Sequence, residues 1–190
     1  MGKVVYSMMV SLDGYVETRR REIDWVIVDE ELHAFANAQA REAGAFLYGR
    51  RLYELMAAYW PTADADPTAP SYIVEFARIW KDTPKIVFSK TLGKAQWNSR
   101  LVRDVIPEEI TRLKRELDHD LDLGGPTLAA TFVRLGLIDE YRLFVNPVVL
   151  GSGTPFFPAS GNRLDLRLVE TRTFGSGVTY LRYQRADGER

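Results

Sequence analysis

The sequence predicts an α/β protein, a three-layer sandwich whose central sheet is mostly parallel, with antiparallel strands added at its C-terminal end. Three observations carry this expectation. Short apolar runs alternate with amphipathic helical stretches through the first two thirds of the chain. From Tyr141 onward the pattern changes to strand-like segments joined by turns. The 190 residues suit one domain, residues 1–190, with room for a substantial core.

Each element has its own local reason. Residues 3–12 read as a buried strand, because Val4, Tyr6, Met8, Val10 and Leu12 share one face and the other face is also mostly apolar. Asp13-Gly14 ends it. Residues 15–28 read as a loop carrying Arg19-Arg20-Arg21 and Trp25. Asp29 is placed to cap a helix running to about Ala43, with Leu32, Phe35 and Ala36 inward. Residues 45–48 form a short buried strand ended by Gly49, and residues 50–59 a helix with Leu52, Leu55, Met56 and Tyr59 on one stripe. Pro61, Pro67 and Pro70 make residues 61–70 a surface loop, and residues 72–80 are a further helix. Residues 85–88 are a third short strand. Pro107 opens a helix whose Glu108 and Glu109 suit its positive end and whose Ile110, Leu113 and Leu117 face inward. Residues 121–123 are a fourth strand, and Gly124-Gly125-Pro126 turns into a helix with Leu128, Phe132 and Leu135 on one side. Residues 141–150 read as a long strand that is apolar on both faces. Leu164, Leu166 and Leu168 alternate with Asp165 and Arg167 as on a half-exposed strand, and Gly175-Ser176-Gly177 turns into the last strand, residues 178–183.

Composition narrows the chemistry. With 25 Lys+Arg against 26 Asp+Glu, the net charge of -1 gives no general attraction to nucleic acid or anionic lipid. The absence of cysteine excludes disulfides, thiolate catalysis, Cys-type zinc sites and Fe–S ligation. The 2 histidines, His33 and His119, are too few for a multi-histidine metal site, and both read as surface residues. No metal is expected. No run approaches the roughly 18 apolar residues of a membrane span, and no targeting signal is recognisable, so a cytoplasmic location is expected.

Three strand ends look alike: Gly49-Arg50-Arg51, Ser89-Lys90-Thr91 and Gly124-Gly125-Pro126-Thr127. In a parallel sheet these ends share the edge where ligands bind. Glycine lets a phosphate approach the backbone, and a helix that follows offers free N–H groups. Arg50, Arg51 and Lys90 add charge for a phosphate monoester. Taken singly, each has an ordinary reading as a tight turn, a solvated helix start or a cap. Gly151-Ser152-Gly153 also follows a strand, but Pro155 and Pro158 prevent the helix that a dinucleotide fingerprint requires. Neither a Walker A lysine pattern nor a Gly-x-Ser-x-Gly elbow occurs, which disfavours a serine hydrolase.

The chain resembles the dihydrofolate reductase superfamily, in the branch related to the reductase domain of bacterial riboflavin biosynthesis. The resemblance rests on Ser11-Leu12-Asp13-Gly14-Tyr15-Val16, Leu47-Tyr48-Gly49-Arg50-Arg51-Leu52-Tyr53-Glu54 and Ile86-Val87-Phe88-Ser89-Lys90-Thr91-Leu92. It continues through Leu123-Gly124-Gly125-Pro126-Thr127-Leu128 and Leu143-Phe144-Val145-Asn146-Pro147-Val148-Val149-Leu150-Gly151-Ser152-Gly153, in the family's order over nearly the whole chain. It implies a dihydrofolate-reductase-like sandwich with NADPH as cofactor. Gly124 and Gly125, with Pro126 and Thr127, would meet the pyrophosphate. Gly49, Arg50 and Arg51 would contribute phosphate contacts, and Ser89, Lys90 and Thr91 would border the adenosine ribose and its 2′-phosphate. On the substrate side, Trp25 ahead of Asp29, Glu30 and Glu31 has the pattern of a tryptophan preceding a catalytic acid, with Glu30 or Asp29 as that acid, although acids at a helix start are also ordinary caps. Asp13 is either a substrate-facing carboxylate or part of a turn. Tyr15, Trp25 and Tyr53 would form an aromatic wall for a flat heterocycle or be packing. The branch commonly pairs through its C-terminal strands, so a homodimer is expected. The function implied is an NADPH-dependent reductase of a small heterocyclic (pterin- or pyrimidine-like) or carbonyl/imine substrate. The alternative is a nucleotide-binding protein of the same fold without efficient reductase activity. The zinc deaminase half of some riboflavin enzymes is absent, since the chain has no cysteines to hold its metal.

Overall fold

A computed structural model describes residues 1–159 and 163–186. The chain runs β1 (Val4–Ser11), β2 (Tyr15–Glu17), α1 (Glu30–Arg41), β3 (Ala43–Gly49), α2 (Arg50–Tyr59), a 3₁₀ helix (Trp60–Ala65), α3 (Ser71–Asp82), β4 (Lys85–Phe88) and β5 (Ser99–Val102). It continues with α4 (Pro107–Glu116), β6 (Asp120–Gly124), α5 (Pro126–Arg134), β7 (Glu140–Asn146), β8 (Thr154–Pro155), β9 (Leu166–Thr173) and β10 (Thr179–Arg185).

The main sheet is 8-stranded, in the order β5-β4-β3-β6-β1-β7-β10-β9. From β5 to β7 neighbouring strands are parallel, while β10 pairs antiparallel with both β7 and β9. This is the mostly parallel sheet with antiparallel C-terminal strands that the sequence predicts. On one face α4 and α5 bring Ile110, Leu113, Leu128 and Phe132 onto Val4, Tyr6, Leu47, Ile86, Leu121 and Leu123. On the other, α2 and α3 bring Tyr53 and Trp80 onto Phe46, Tyr48 and Val87, while α1 covers Phe144 and Tyr180 with Leu32 and Phe35. Buried on both sides, the central strands need the near-continuous apolar runs by which the sequence marks them.

Local chemistry sets the helix starts. The Asp29 carboxylate accepts the Leu32 N–H at 2.8 Å, with Glu30 and Glu31 in the first turn and Arg41 in the last. α4 and α5 each begin on a proline, whose missing N–H costs a first turn nothing.

Several expectations need correction. The loop after β1 contains β2, which pairs antiparallel with β8 through Tyr15↔Pro155 and Glu17↔Thr154. β5 lies where no strand was expected. Residues 61–70 start inside the 3₁₀ helix, with Ala63 buried. β7 stops at Asn146, because Pro147 has no N–H for the ladder. Leu12, Leu55, Tyr59 and Leu135 are exposed, and Tyr53 is the buried residue of α2. Leu164 precedes β9. His33 is half-buried among Trp60, Tyr72 and Phe76, hydrogen-bonded to Asn37 at 3.0 Å. Its surroundings hold the imidazole below its ordinary pKa, chiefly through desolvation.

Candidate active site

β3 and β6 are neighbours, yet the helices that follow them leave on opposite faces of the sheet. A crevice therefore opens beyond their C-terminal ends, at the kind of switch point where open α/β sheets bind ligands. Gly49 and Gly124 end these strands, and β4 ends alongside at Phe88. The three strand ends singled out in the sequence thus stand side by side on one edge.

Both helices that flank the crevice start without a side-chain cap, α2 after Gly49 and α5 after Gly125. The first N–H groups of a helix have no partner within it, so these ends suit an anion. Gly125 has φ +92, a conformation that L side chains rarely adopt, and its N–H faces Met8 Sδ at 3.4 Å. Gly124 is packed, since a Cβ there would come within 2.5 Å of Leu52 Cδ2. Pro126 is half-buried and Thr127 exposed at the start of α5.

The expected cations each have an intramolecular partner. Arg50 donates to Glu54 at 2.8 Å and to the Thr91 hydroxyl at 2.9 Å, which links the β3 and β4 ends. Arg51 donates to Glu17 at 2.5 Å and to the Arg21 carbonyl at 3.0 Å. Lys90 pairs with Asp104 at 3.0 Å and is exposed. Ser89 is buried, and its hydroxyl accepts the N–H groups of Thr91 and Leu92 at 3.3 and 3.0 Å, shaping the turn.

The substrate-side residues do not converge in the same way. Asp13 lies in an exposed turn rather than inside the strand end. Its carboxylate accepts from the Ser11 hydroxyl at 2.7 Å and from the Leu150 and Gly151 N–H groups at 3.1 and 2.7 Å. The Ser11 hydrogen bond above all, with help from these amides, holds it below the usual carboxylate range. Glu30 is exposed and lines the groove between α1 and α3, whereas Asp29 is the α1 cap. Tyr53 is buried, and its hydroxyl both accepts from the Gln96 N–H at 2.7 Å and donates to the Gln96 carbonyl at 3.1 Å, so ring and hydroxyl are spent on packing and on fastening the 89–98 loop. Trp25 is half-buried, and its indole Nε1 is buried with no hydrogen-bond partner among the described residues. Such a donor is costly to leave unpaired.

Sequence reasoning missed two residues of this region. Asn146, fully buried at the end of β7, accepts the Ile27 N–H at 2.8 Å and so ties the 15–28 segment to the sheet. Glu17, also buried, joins β2 to Thr154 and Arg51. A polar residue closing an apolar strand was the available signal for Asn146, while Glu17 had none, because β2 is too short to show a period. Among the described residues, no group of three or more His, Cys, Asp or Glu side chains is placed to hold a metal ion. No helix among the described residues is long and apolar enough to cross a membrane.

A family model described as the RibD C-terminal domain matches residues 2–180. The uncharacterised protein YyaP of Bacillus subtilis (strain 168) is 36% identical over 182 residues, covering 95% of this chain and 94% of its own length. Among solved structures, a protein from Shewanella sp. PV-4 named for riboflavin biosynthesis superposes with a TM-score of 0.75 at 21% identity, over 98% of this chain and 99% of that one. Dihydrofolate reductase from Enterococcus faecalis, solved with NADP(H), superposes with a TM-score of 0.64 at 14% identity, over 98% of both chains. At these identities the two structures establish a shared dihydrofolate-reductase-like fold.

Proposed function

The chain belongs to the RibD C-terminal domain family, and from that premise we propose that it is a cytoplasmic NADPH-dependent reductase acting on a small heterocyclic (pterin- or pyrimidine-like) or carbonyl/imine substrate. The observation that carries this reading is the pair of uncapped helix starts, after Gly49 and Gly125, at the ends of two neighbouring parallel strands. The pyrophosphate would lie against Gly125, Pro126 and Thr127, where the φ of +92 keeps a side chain out of its approach. Arg50, Lys90 and Thr91 would face the adenosine end and its 2′-phosphate, with Ser89 holding their turn in shape. When bound, the dinucleotide supplies the hydride. The protein's own part is to orient the two reactants and keep water from between them. Trp25, half-buried, would line the substrate side. Asp13, ionised at neutral pH, would shape the edge of the site rather than store a proton.

A second reading, a nucleotide-binding protein of this fold without efficient turnover, is favoured by one observation. Asp13 is committed to the 150–151 backbone and Glu30 faces a different groove, so neither candidate acid stands free at the crevice. Two measurements decide. NADPH should raise the melting temperature more than NADH at equal concentration, since charge-assisted contacts to a 2′-phosphate exist only for the former. A ligand at about a hundred times its Kd adds about 2.7 kcal/mol of stability. Equal shifts would remove the 2′-phosphate assignment, and no shift with either would remove the cofactor. Oxidation of NADPH at 340 nm is then followed across pterins, pyrimidines and quinones. Turnover with any of them supports the reductase, whereas binding without turnover across the panel supports the second reading. The working unit in this proposal is a homodimer joined through β7, β10 and β9.

A further inference from the structure

The reductase reading has no use for Arg19-Arg20-Arg21 themselves, but they lie in the segment that carries Trp25, and the structure shows what fastens that segment. β2 and β8 share only the pairs Tyr15↔Pro155 and Glu17↔Thr154, too little ladder to hold by itself. Asn146 holds the far end of the segment through the Ile27 N–H, and Glu17 holds its near end. The Glu17 side chain is 10% exposed, with one oxygen accepting the Thr154 hydroxyl at 2.8 Å and the other accepting Arg51 at 2.5 Å. A carboxylate so buried is tolerated because it is paired. The other arm of the Arg51 fork reaches the Arg21 carbonyl at 3.0 Å. Arg21 has φ +64, within a turn closed by Arg21 N–H to Thr18 C=O at 2.8 Å and Glu22 N–H to the Thr18 hydroxyl at 3.1 Å. Gly153 admits the approach, since a Cβ there would stand 2.0 Å from the Glu17 carbonyl oxygen.

We propose that Glu17 is a positioning residue: by fixing the Arg51 guanidinium it bolts the 15–28 segment to the first turn of α2 and so sets where Trp25 stands relative to the cofactor crevice. Arg51 then works as the segment's anchor rather than as a free phosphate contact. Arg19, Arg20 and Arg21 are exposed on the bolted turn and report on it directly, because trypsin cuts after arginine only where the chain opens. The bolt itself does not depend on the reductase reading. Only its consequence for substrate does.

Limited trypsin digestion of the whole chain, with cut sites assigned by mass spectrometry, tests the bolt without any ligand. Glu17→Gln keeps the shape and removes the charge, and it should speed cleavage after residues 19–21 by about tenfold, equivalent to about 1.4 kcal/mol of opening. In an Arg51→Met background Glu17→Gln should add nothing further, because the partner is already gone. Arg51→Lys keeps the charge without the fork, and it should give an intermediate rate, also providing the reading if Glu17→Gln does not fold. Unchanged cleavage, or effects that simply add, would overturn the proposal. With a substrate in hand, Glu17→Gln should raise KM by about tenfold while the NADPH Kd moves by less than about threefold. Equal losses in both would reduce Glu17 to a general support of the fold. Absence of NADPH binding would defeat the reductase reading and leave the digestion result standing.

Discussion

Gly125 shows how much one missing side chain settles. A Cβ there would meet Leu52 Cβ at 3.5 Å, an ordinary contact, so the obstacle to substitution is the φ of +92 rather than crowding. Gly125→Ala should therefore fold, with a stability loss of about 1–3 kcal/mol from backbone strain. It should also weaken NADPH binding, because relief of the strain moves the turn that would hold the pyrophosphate. An unchanged Kd in the folded variant would separate the glycine from the cofactor. Asp122, half-buried on β6, makes a different residue-scale case. Desolvation raises its pKa to about 6, against the lowering pull of Arg142. The unfolded chain releases this proton near its ordinary value of 3.8, the folded chain near 6, so unfolding between these values releases a proton. The group's contribution is full below pH 3.8, declines as pH rises toward 6 and stays diminished above it. Asp122→Asn should raise the melting temperature at pH 7.5, by a gain of about 1–2 kcal/mol, and should raise it clearly less at pH 4.5, where the folded carboxyl still holds its proton. A gain of the same size at both values would point to packing instead of charge.

At the scale of elements, a buried charge joins β7 to β10 and to the start of β1. Glu140 is fully buried and accepts from Arg182 at 2.8 and 3.0 Å, Arg142 at 2.8 Å, Gln184 at 3.1 Å and Lys3 at 3.3 Å. Burial pushes its carboxyl up, but the hydrogen bonds from Arg182 and Gln184 and the nearby Arg142 outweigh it and hold the pKa at about 2. Its stabilisation is thus complete above the unfolded value of 4.5 and is lost as pH falls toward 2. Glu140→Leu leaves the surrounding cations without their counter-charge and should destabilise by about 3–5 kcal/mol. A urea titration checks it, and a loss under about 1 kcal/mol would mean the cations find water instead. Nothing in the sequence marks Glu140, since an acid ahead of an apolar run looks like a solvated strand end. What the sequence does reveal at this scale follows element length. Strands buried on both faces announce themselves as apolar runs, and Asp29 and Pro107 announce helix starts. β2 and β8 are too short to show a period, β5 carries a mixed Ser-Arg-Leu-Val, and the run past Pro147 is apolar without being strand. The site divides in the same way. Glycines and cations at strand ends were legible because the parallel order puts those ends together. Their partners Glu17 and Asp104 depend on tertiary approach and were not, whereas Glu54 meets Arg50 one turn along the same helix.

For the whole molecule, the uneven cover of the sheet bears on assembly. The two-faced apolar character of residues 141–146 is satisfied within the chain at Tyr141 and Phe144, which are buried, so it does not by itself demand a partner. The stronger reason lies further along the sheet. On the face where α4 and α5 cover the central strands, the registers place Leu143 beside Leu181 and Tyr183 beside Leu168, with Leu166 at the end of the same row. Leu143, Leu181, Tyr183 and Leu166 are half-buried and Leu168 is exposed. The opposite face of the same strands carries Arg142, Arg182, Glu170 and Arg172, bound to one another or to Glu140 and Glu31. One side of this sheet extension is thus dressed for water and the other is left apolar beyond the reach of the helices, as expected of an interface. A two-fold pair would cover it with the same surface from each copy. Light scattering at micromolar concentration should give about twice the 21.7 kDa chain mass. Leu168→Arg, a change on an exposed residue that leaves the monomer's core intact, should shift the mass to that of one chain. A single-chain mass for the unsubstituted protein over the whole range would reject the dimer, and a dimer that survives Leu168→Arg would place the interface elsewhere.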